Sequence, residues 1–447
     1  MKKDLITKND VFDLISKSTI FGNLGLFIGA GLPMAVLNSE YARIALNWRE
    51  LIEKCSTEMD VDFKSIDKEG NSFPDISTRI CNKYVEQNAS SYEIANQKLK
   101  SLIAENTSWF PESQKREEYK KFFDALNPKW IITTNYDLVL ECILHDNGYS
   151  LSPNDELIAP IGMIPIYHLH GIRTNPESIV ITQEDYISLF RPNQYRQQKL
   201  ILTIKESLTL IIGYNLGDIN VLTALDWSKN VYDKQRNNYP HEVIQLLHSK
   251  TPQENPYHDK NNIIILEFND LSTLLNELSQ YILLKIEEDR TNKLSLKEIN
   301  DFLLNPTEDV VNKFVDDASF RKDIISTLQD SGYSVISGFM VLFSKGIDET
   351  WKRAIPRGAF QAYNENLKIL LDILEFYDIK KMPPSLVEMV IYNLNRVAYY
   401  IGEMIGQSIA AHNTWKSRKV SITKETKDEI KNIAKTRNYD RIIKLLR

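Results

Sequence analysis

The chain has 447 residues, of which 43% are hydrophobic and 26% charged, the composition of a globular protein with enough length for two or three domains. The net charge of −6 argues against a surface built throughout to grip nucleic acid. That charge is unevenly spread: residues 416–447 hold eleven basic and four acidic residues, a surplus of +7, so positions 1–415 carry −13. The three cysteines, Cys55, Cys81 and Cys142, lie far apart without a CxxC pair, which excludes a disulfide scaffold or a cysteine-rich zinc ribbon and fits a reducing cytoplasm. Acidic residues interrupt the N-terminal stretch, so no signal peptide is expected, and no uncharged run reaches the length of a membrane span.

In chain order, short apolar runs bounded by Gly, Pro and Asn alternate with amphipathic stretches. The runs are Leu24–Ile28, Trp130–Thr134, Ile166–His170, Ile179–Thr182, Leu208–Ile212, Val243–Leu247 and Ile263–Leu266. Each reads as a buried strand of a parallel sheet. Helical patterns follow several of them, at Asp137–Asn147, Gln194–Glu206 and Asp218–Lys229, and residues 48–126 read as a helical insertion. The alternation predicts an α/β, Rossmann-like doubly wound domain over 1–290. From 291 no β-run is evident. Ser295 with Glu298 three positions on is a capping-box pattern that would open an all-helical domain over 291–447.

Four polar loops follow predicted strands. Gly29-Ala30-Gly31 would let the backbone turn tightly and present helix N-terminal N–H groups to a pyrophosphate. The third glycine of a dehydrogenase fingerprint would fall at Met34, and no strand ending in an acidic residue follows about 20 residues on, which disfavours hydride transfer. Thr133-Thr134-Asn135-Tyr136-Asp137 ends the second run; Asn135 or Asp137 could simply cap the next helix, yet five polar side chains exceed what a cap needs. In His168-Leu169-His170-Gly171, strand alternation would put both histidines on one face. Without a nearby set of Cys or His partners, a general base is the better reading than a metal pair. Gly213-Tyr214-Asn215-Leu216-Gly217-Asp218 ends the fifth run. All four loops would converge on one edge of one sheet, the usual place of a ligand site.

Taken in order, GAG, TTNYD, HLHG and GYNLGD resemble the sirtuin-like domain, in the divergent branch found in bacterial anti-phage defence proteins, over roughly residues 20–285. The resemblance implies an NAD+ pocket in which Gly29, Ala30 and Gly31 meet the pyrophosphate and Gly213 and Tyr214 the adenosine side. Thr134 and Asn215 complete the cofactor-binding set. Asn135 and Asp137 would lie at the nicotinamide and its ribose, and His170 would be the base, with His168 a neighbour outside the catalytic position. Two departures matter. No cysteine follows Cys142, so the zinc ribbon of sirtuin deacetylases is missing and no zinc is expected; Leu32-Pro33 also replaces the serine that usually follows the glycine loop. Without a platform for an acylated peptide, the expected reaction is hydrolysis of NAD+ to nicotinamide and ADP-ribose, as an NAD-depleting defence effector. The alternatives are an NAD-dependent protein deacylase and a catalytically silent NAD-binding scaffold.

Control is expected through a homo-oligomer or a partner such as a helicase-type ATPase subunit, with the helical domain as the assembly element. Neither a membrane nor nucleic acid is an expected partner. Gly402-Glu403-Met404-Ile405-Gly406 could let two helices approach closely, and the basic tail, with Ile422, Ile430, Ile442 and other apolar residues interleaved, reads as amphipathic helix: a solvated face of the helical domain or a surface for an acidic partner.

Overall fold

A computed structural model describes residues 6–39, 42–66, 72–153, 155–156, 158–189, 195–214, 242–331 and 333–446. The chain forms two compact units, Met1–Glu287 and Glu288–Arg447.

The first unit is built on an eight-stranded sheet: β1 (Leu24–Ile28), β2 (Trp130–Thr133), β3 (Gly148–Leu151), β4 (Ile164–His168), β5 (Leu208–Ile212), β6 (Val243–His248), β7 (Tyr257–His258) and β8 (Ile264–Phe268), in the order β3-β4-β2-β1-β5-β6-β8-β7. Every neighbouring pair is parallel except β7, which runs antiparallel to β8 at the edge. The central strands are buried along their whole length, which is why they read as uninterrupted apolar runs rather than as alternating ones. One core, holding Leu26, Ile28, Ile131, Ile166, Leu210 and Ile244, covers one side of the sheet, and a second, with Phe27, Ile132, Tyr167, Ile211 and Tyr214, covers the other.

Helices fill the connections. α1 (Lys8–Phe21) precedes β1, opened by a capping box in which Thr7 and Asp10 satisfy each other's backbone N–H groups. α2 (Gly31–Leu37) follows it. The insertion before β2 is helical throughout its described part: α3 (Trp48–Glu58), α4 (Phe63–Ile66), α5 (Phe73–Asn88), α6 (Tyr92–Asn106) and α7 (Ser113–Leu126). α3 to α6 share a separate core around Ile52, Met59, Ile80 and Leu99, into which Tyr136, Ile179 and Ile181 also pack. α8 (Val139–Leu144) follows β2, and α9 (Gln183–Leu189) and α10 (Tyr195–Lys205) precede β5.

Three expectations are corrected. Ile179–Thr182 is not a strand: Val180 donates its N–H to the His170 carbonyl (2.8 Å), and Ile181 and Thr182 donate theirs to the Asp185 carboxylate (3.1 and 3.0 Å). With its donors satisfied locally, the segment buries its side chains without joining a ladder. β4 ends at His168, so His170 lies in the turn beyond it and the two histidines are not alternate residues of one strand. Ser295 opens nothing, because one helix, α11, runs unbroken over Leu271–Leu304. The short strands β3 and β7 carry too few apolar residues to stand out in the sequence.

The second unit is helical in all its described residues apart from turns and one isolated bridge between Ile401 and Ser408. Its core gathers Phe314, Phe339, Phe343, Leu367, Leu370 and Leu394. A buried ion-pair network crosses it. Arg321 Nε donates to Asp372 Oδ2 at 2.5 Å and its Nη1 to the Phe314 and Val315 carbonyls, while an Arg418 Nη2 reaches Asp372 Oδ1 at 2.6 Å. Gly402–Gly406 forms a bend, with Gly406 at φ +88° and Met404 and Ile405 exposed, so it supports no close helix crossing. The basic tail is integral to this unit: Ile422, Ile430, Ala434 and Ile442 are buried in its core.

Candidate active site

β4, β2, β1 and β5 stand side by side and parallel, and the registers Thr133 with His168, Ile28 with Thr133 and Ile28 with Ile212 set their last residues level. The loops beginning at Gly29, Thr134, Leu169 and Gly213 therefore leave one edge of the sheet. The chain goes from β1 to β2 on one side and reaches β5 on the other, so this edge includes the reversal of strand order where α/β sheets place ligands.

At that reversal two glycine loops interlock. Gly29 donates its N–H to the Ile212 carbonyl and Gly31 donates to that of Gly213, both at 2.9 Å, while Leu32 donates to Gly29 at 3.1 Å. A Cβ on Gly31 would stand 2.6 Å from Gly213 Cα, and one on Gly213, whose φ is +78°, 2.6 Å from the Leu32 nitrogen. Glycine is required here for backbone to lie against backbone. Of the three residues expected to face a pyrophosphate, Gly29 and Gly31 thus have their N–H groups committed to carbonyls within the protein, and so has the following Leu32.

The loop after β2 is tied down at several points. Thr133 Oγ1 donates to the Ile28 carbonyl (2.8 Å) and accepts from the Asn135 N–H (3.0 Å). Thr134 Oγ1 and the Tyr214 hydroxyl lie 2.7 Å apart, joining this loop to the one after β5. Tyr214 is buried, its ring edge-on to Phe27, and its carbonyl accepts from Gln245 Nε2. Asn135 is 5% exposed, and among the described residues its side-chain amide has no hydrogen-bond partner. Asp137, equally buried, accepts the Val139 N–H at 3.0 Å, an Asx-type turn that leads into α8, whose N-cap position is Leu138. Burial, reinforced by nearby Glu141, pushes its carboxyl up to about 6, against the pull of His168. Asn215 and Asp218 lie outside the described residues.

The two histidines have opposite surroundings. His170, 1% exposed, packs against Trp48 of α3 (ring centroids 5.7 Å apart) and edge-on to Tyr186 (5.2 Å). The Tyr186 hydroxyl stands 3.5 Å from Nδ1, and Nε2 is buried with no partner among the described residues. Burial pushes this imidazole down to about 3, so it is neutral at neutral pH. The next residue, Gly171, has φ +92°, and a Cβ there would meet the Ser178 carbonyl oxygen at 2.3 Å, so the turn that carries His170 requires glycine. His168, also 1% exposed, is fully engaged: Nδ1 lies 3.0 Å from the Asn135 carbonyl oxygen and Nε2 2.8 Å from Glu141 Oε1. Burial alone would lower its pKa, but Glu141 beside it raises it above the ordinary value, and the Glu141 carboxyl is in turn held low by His168 against its own burial.

Sequence reasoning missed Trp48, Glu141 and Tyr186. Trp48 lies 122 residues before His170 in the sequence, and no local pattern announces its place beside that histidine. Glu141, four positions after Asp137, was concealed within an ordinary helical pattern. Among the described residues, no group of three or more His, Cys, Asp or Glu is arranged to hold a metal ion, and no helix is long and apolar enough to cross a membrane.

Residues 129–266, from the start of β2 almost to the end of β8, match the family model of the SIR2-like domain. The chain is also similar to Defense-associated sirtuin 2 of Bacillus subtilis, 24% identical over 276 residues that make up 59% of this chain and 25% of that protein. It therefore spans about a quarter of the length of that relative. The matched segment supplies both TTNYD and HLHG, the loops that place Asn135 and His170 at the sheet edge. Together, the parallel sheet, these two loops and the family match show that the chain contains a SIR2-like domain.

Proposed function

We propose that this domain hydrolyses NAD+ to nicotinamide and ADP-ribose. The observation that carries the reading is the pairing of an uncommitted Asn135 amide with a buried, neutral His170 at one edge of the sheet. Cleaving the N-glycosidic bond releases neutral nicotinamide and leaves a ribose of oxocarbenium character, as in glycoside cleavage. Asn135 can orient the ribose or a water through its amide without offering a competing nucleophile, and His170 Nε2 has a lone pair or a proton to exchange as water or a ribose hydroxyl reacts. As burial keeps the imidazole unprotonated, it enters the reaction as a base. Asp137, held by the Val139 N–H, contributes a partly protonated carboxyl beside the loop. With the N–H groups of Gly29, Gly31 and Leu32 committed, a pyrophosphate at this loop takes the Ala30 N–H, which no backbone carbonyl holds among the described residues. Gly213 and Tyr214 belong to the adenosine side of the same reading, and Thr134 and Asn215 complete its cofactor-binding set.

The biological role that fits is depletion of NAD+ in anti-phage defence, in the cytoplasm, in keeping with the name of the Bacillus relative. Because an unregulated activity of this kind would harm its host, the reading includes control by self-association or by a partner subunit such as a helicase-type ATPase.

Incubation of purified protein with NAD+, alone and with co-purified partners, tests the reaction by release of nicotinamide and ADP-ribose. Asn135→Ala and His170→Ala should each lower turnover by about 10²-fold or more. No release by wild type under any of these conditions, or unchanged rates in both variants, ends the proposal. Acyl-ADP-ribose formed only with an acylated peptide would identify a deacylase instead.

A further inference from the structure

We propose that His168 is a positioning residue: its ring, braced by Glu141, holds the Asn135 carbonyl and thereby fixes the Asn135 side chain at the site. This rests on the reading of Asn135 given above and adds the residue that orients it.

A carbonyl oxygen only accepts hydrogen bonds, so His168 Nδ1, 3.0 Å from the Asn135 oxygen, carries a proton. On its other side Nε2 meets Glu141 Oε1, which also accepts from Ser150 Oγ at 2.5 Å. The two facing acceptors call for a proton on each ring nitrogen. The charge thus formed is buried, with Glu141 beside it and Asp137 as the other ionisable group facing it. Thr133 Oγ1 accepts the Asn135 N–H, so both polar groups of the Asn135 backbone are held, one from β2 and one from β4. With both polar groups of its backbone held, the direction of the Asn135 Cα–Cβ bond is fixed, and with it the region its amide can reach. A buried ion pair is weak evidence for stability, and fixing one conformation is the better account of retaining one here.

The geometry offers a test that a merely structural role would not pass. The amide nitrogen of an Asn side chain occupies the place of histidine Nδ1, and that of Gln the place of Nε2. His168→Asn therefore keeps the donor to Asn135, while His168→Gln keeps only the donor to Glu141. Glu141→Gln leaves the ring protonated at Nδ1, with the new amide donating to Nε2. With folding checked by thermal unfolding, His168→Asn and Glu141→Gln should lose no more than about tenfold in kcat, the equivalent of one ordinary hydrogen bond. His168→Gln should lose about 10²-fold in kcat, as for a misplaced catalytic group, with KM near that of wild type. Equal losses in His168→Asn and His168→Gln, or the reverse order, overturn the proposal.

A second measurement does not depend on turnover. In 15N-histidine-labelled protein at pH 8, the ring resonance absent from His168→Asn should show a proton on Nδ1; an unprotonated Nδ1 overturns the proposal whatever the kinetics. A protonated Nδ1 in a protein that never cleaves NAD+ would leave the clamp standing and reject the hydrolase reading alone.

Discussion

Thr134 Oγ1 and the Tyr214 hydroxyl, 80 residues apart in sequence, meet at 2.7 Å and tie the loop after β2 to the loop after β5. Tyr214→Phe keeps the ring packing on Phe27 and removes this bond, as Thr134→Val does from the other side. Each should cost about 1 kcal/mol, and the double variant little more than either alone, because the second substitution removes a group already without its partner. Chemical denaturation of the four proteins measures the coupling; fully additive losses would mean that the bond contributes nothing.

The glycine interlock is a matter of space. Gly31→Ala places a Cβ 2.6 Å from Gly213 Cα, and Gly213→Ala adds a left-handed φ to a contact with the Leu32 nitrogen. Neither obstacle is the end of a flexible side chain, so each variant should be destabilised by about 1–3 kcal/mol. Thermal unfolding reads the effect, and an unchanged midpoint in both would show that the two loops can move apart freely.

Asp137 and His170 give the domain opposite responses to pH. The native pKa of Asp137 is raised, to about 6 from 3.8, so its contribution is fully present below about pH 4 and is lost as pH rises through 6. Asp137→Asn, which keeps an oxygen for the Val139 N–H, should accordingly be more stable than wild type at pH 7 by about 2–3 kcal/mol, with the advantage vanishing by pH 4. His170 is depressed, to about 3 from 6.5, so its contribution is present above pH 6.5 and is lost as pH falls towards 3. His170→Phe should remove that part of the acid sensitivity. Denaturation curves between pH 4 and 8 for the three proteins separate the two slopes.

In the helical unit, Asp372 receives both Arg321 and Arg418 while itself 2% exposed. Asp372→Asn leaves two guanidinium groups short of their counter-charge and should cost about 3–5 kcal/mol, seen as early unfolding of this unit. Removing residues 416–447 deletes Arg418 together with the buried Ile422, Ile430 and Ile442, and should destabilise the unit too. A truncated protein with unaltered melting would contradict the placement of the tail in its core.

The parts of this protein legible in its sequence are those whose signal is local. β1, β2, β5, β6 and β8 declare themselves because strands buried on both faces are short apolar runs, and the glycines and polar residues at their ends mark where the chain turns. The helical insertion and the helical second unit follow from periodicity in the same way. Asn135 and His170 could be named because they stand beside such marks. Folding had to decide what depends on partners distant in the chain. Ile179–Thr182 has the composition of a strand but gives its N–H groups to His170 and Asp185; Ser295 has the pattern of a cap but lies in mid-helix. The glycine loop looks open to a phosphate until Gly213 is seen to take the Gly31 N–H. The uneven charge, suggestive of a separate basic tail, reflects one face of helices whose other face is core. His168 and His170, two residues apart, differ most of all. One meets Glu141 and the Asn135 carbonyl, and its imidazole is held above its ordinary value; the other meets Trp48 and Tyr186 and is neutral, because a side chain's titration is set by the groups that surround it in space.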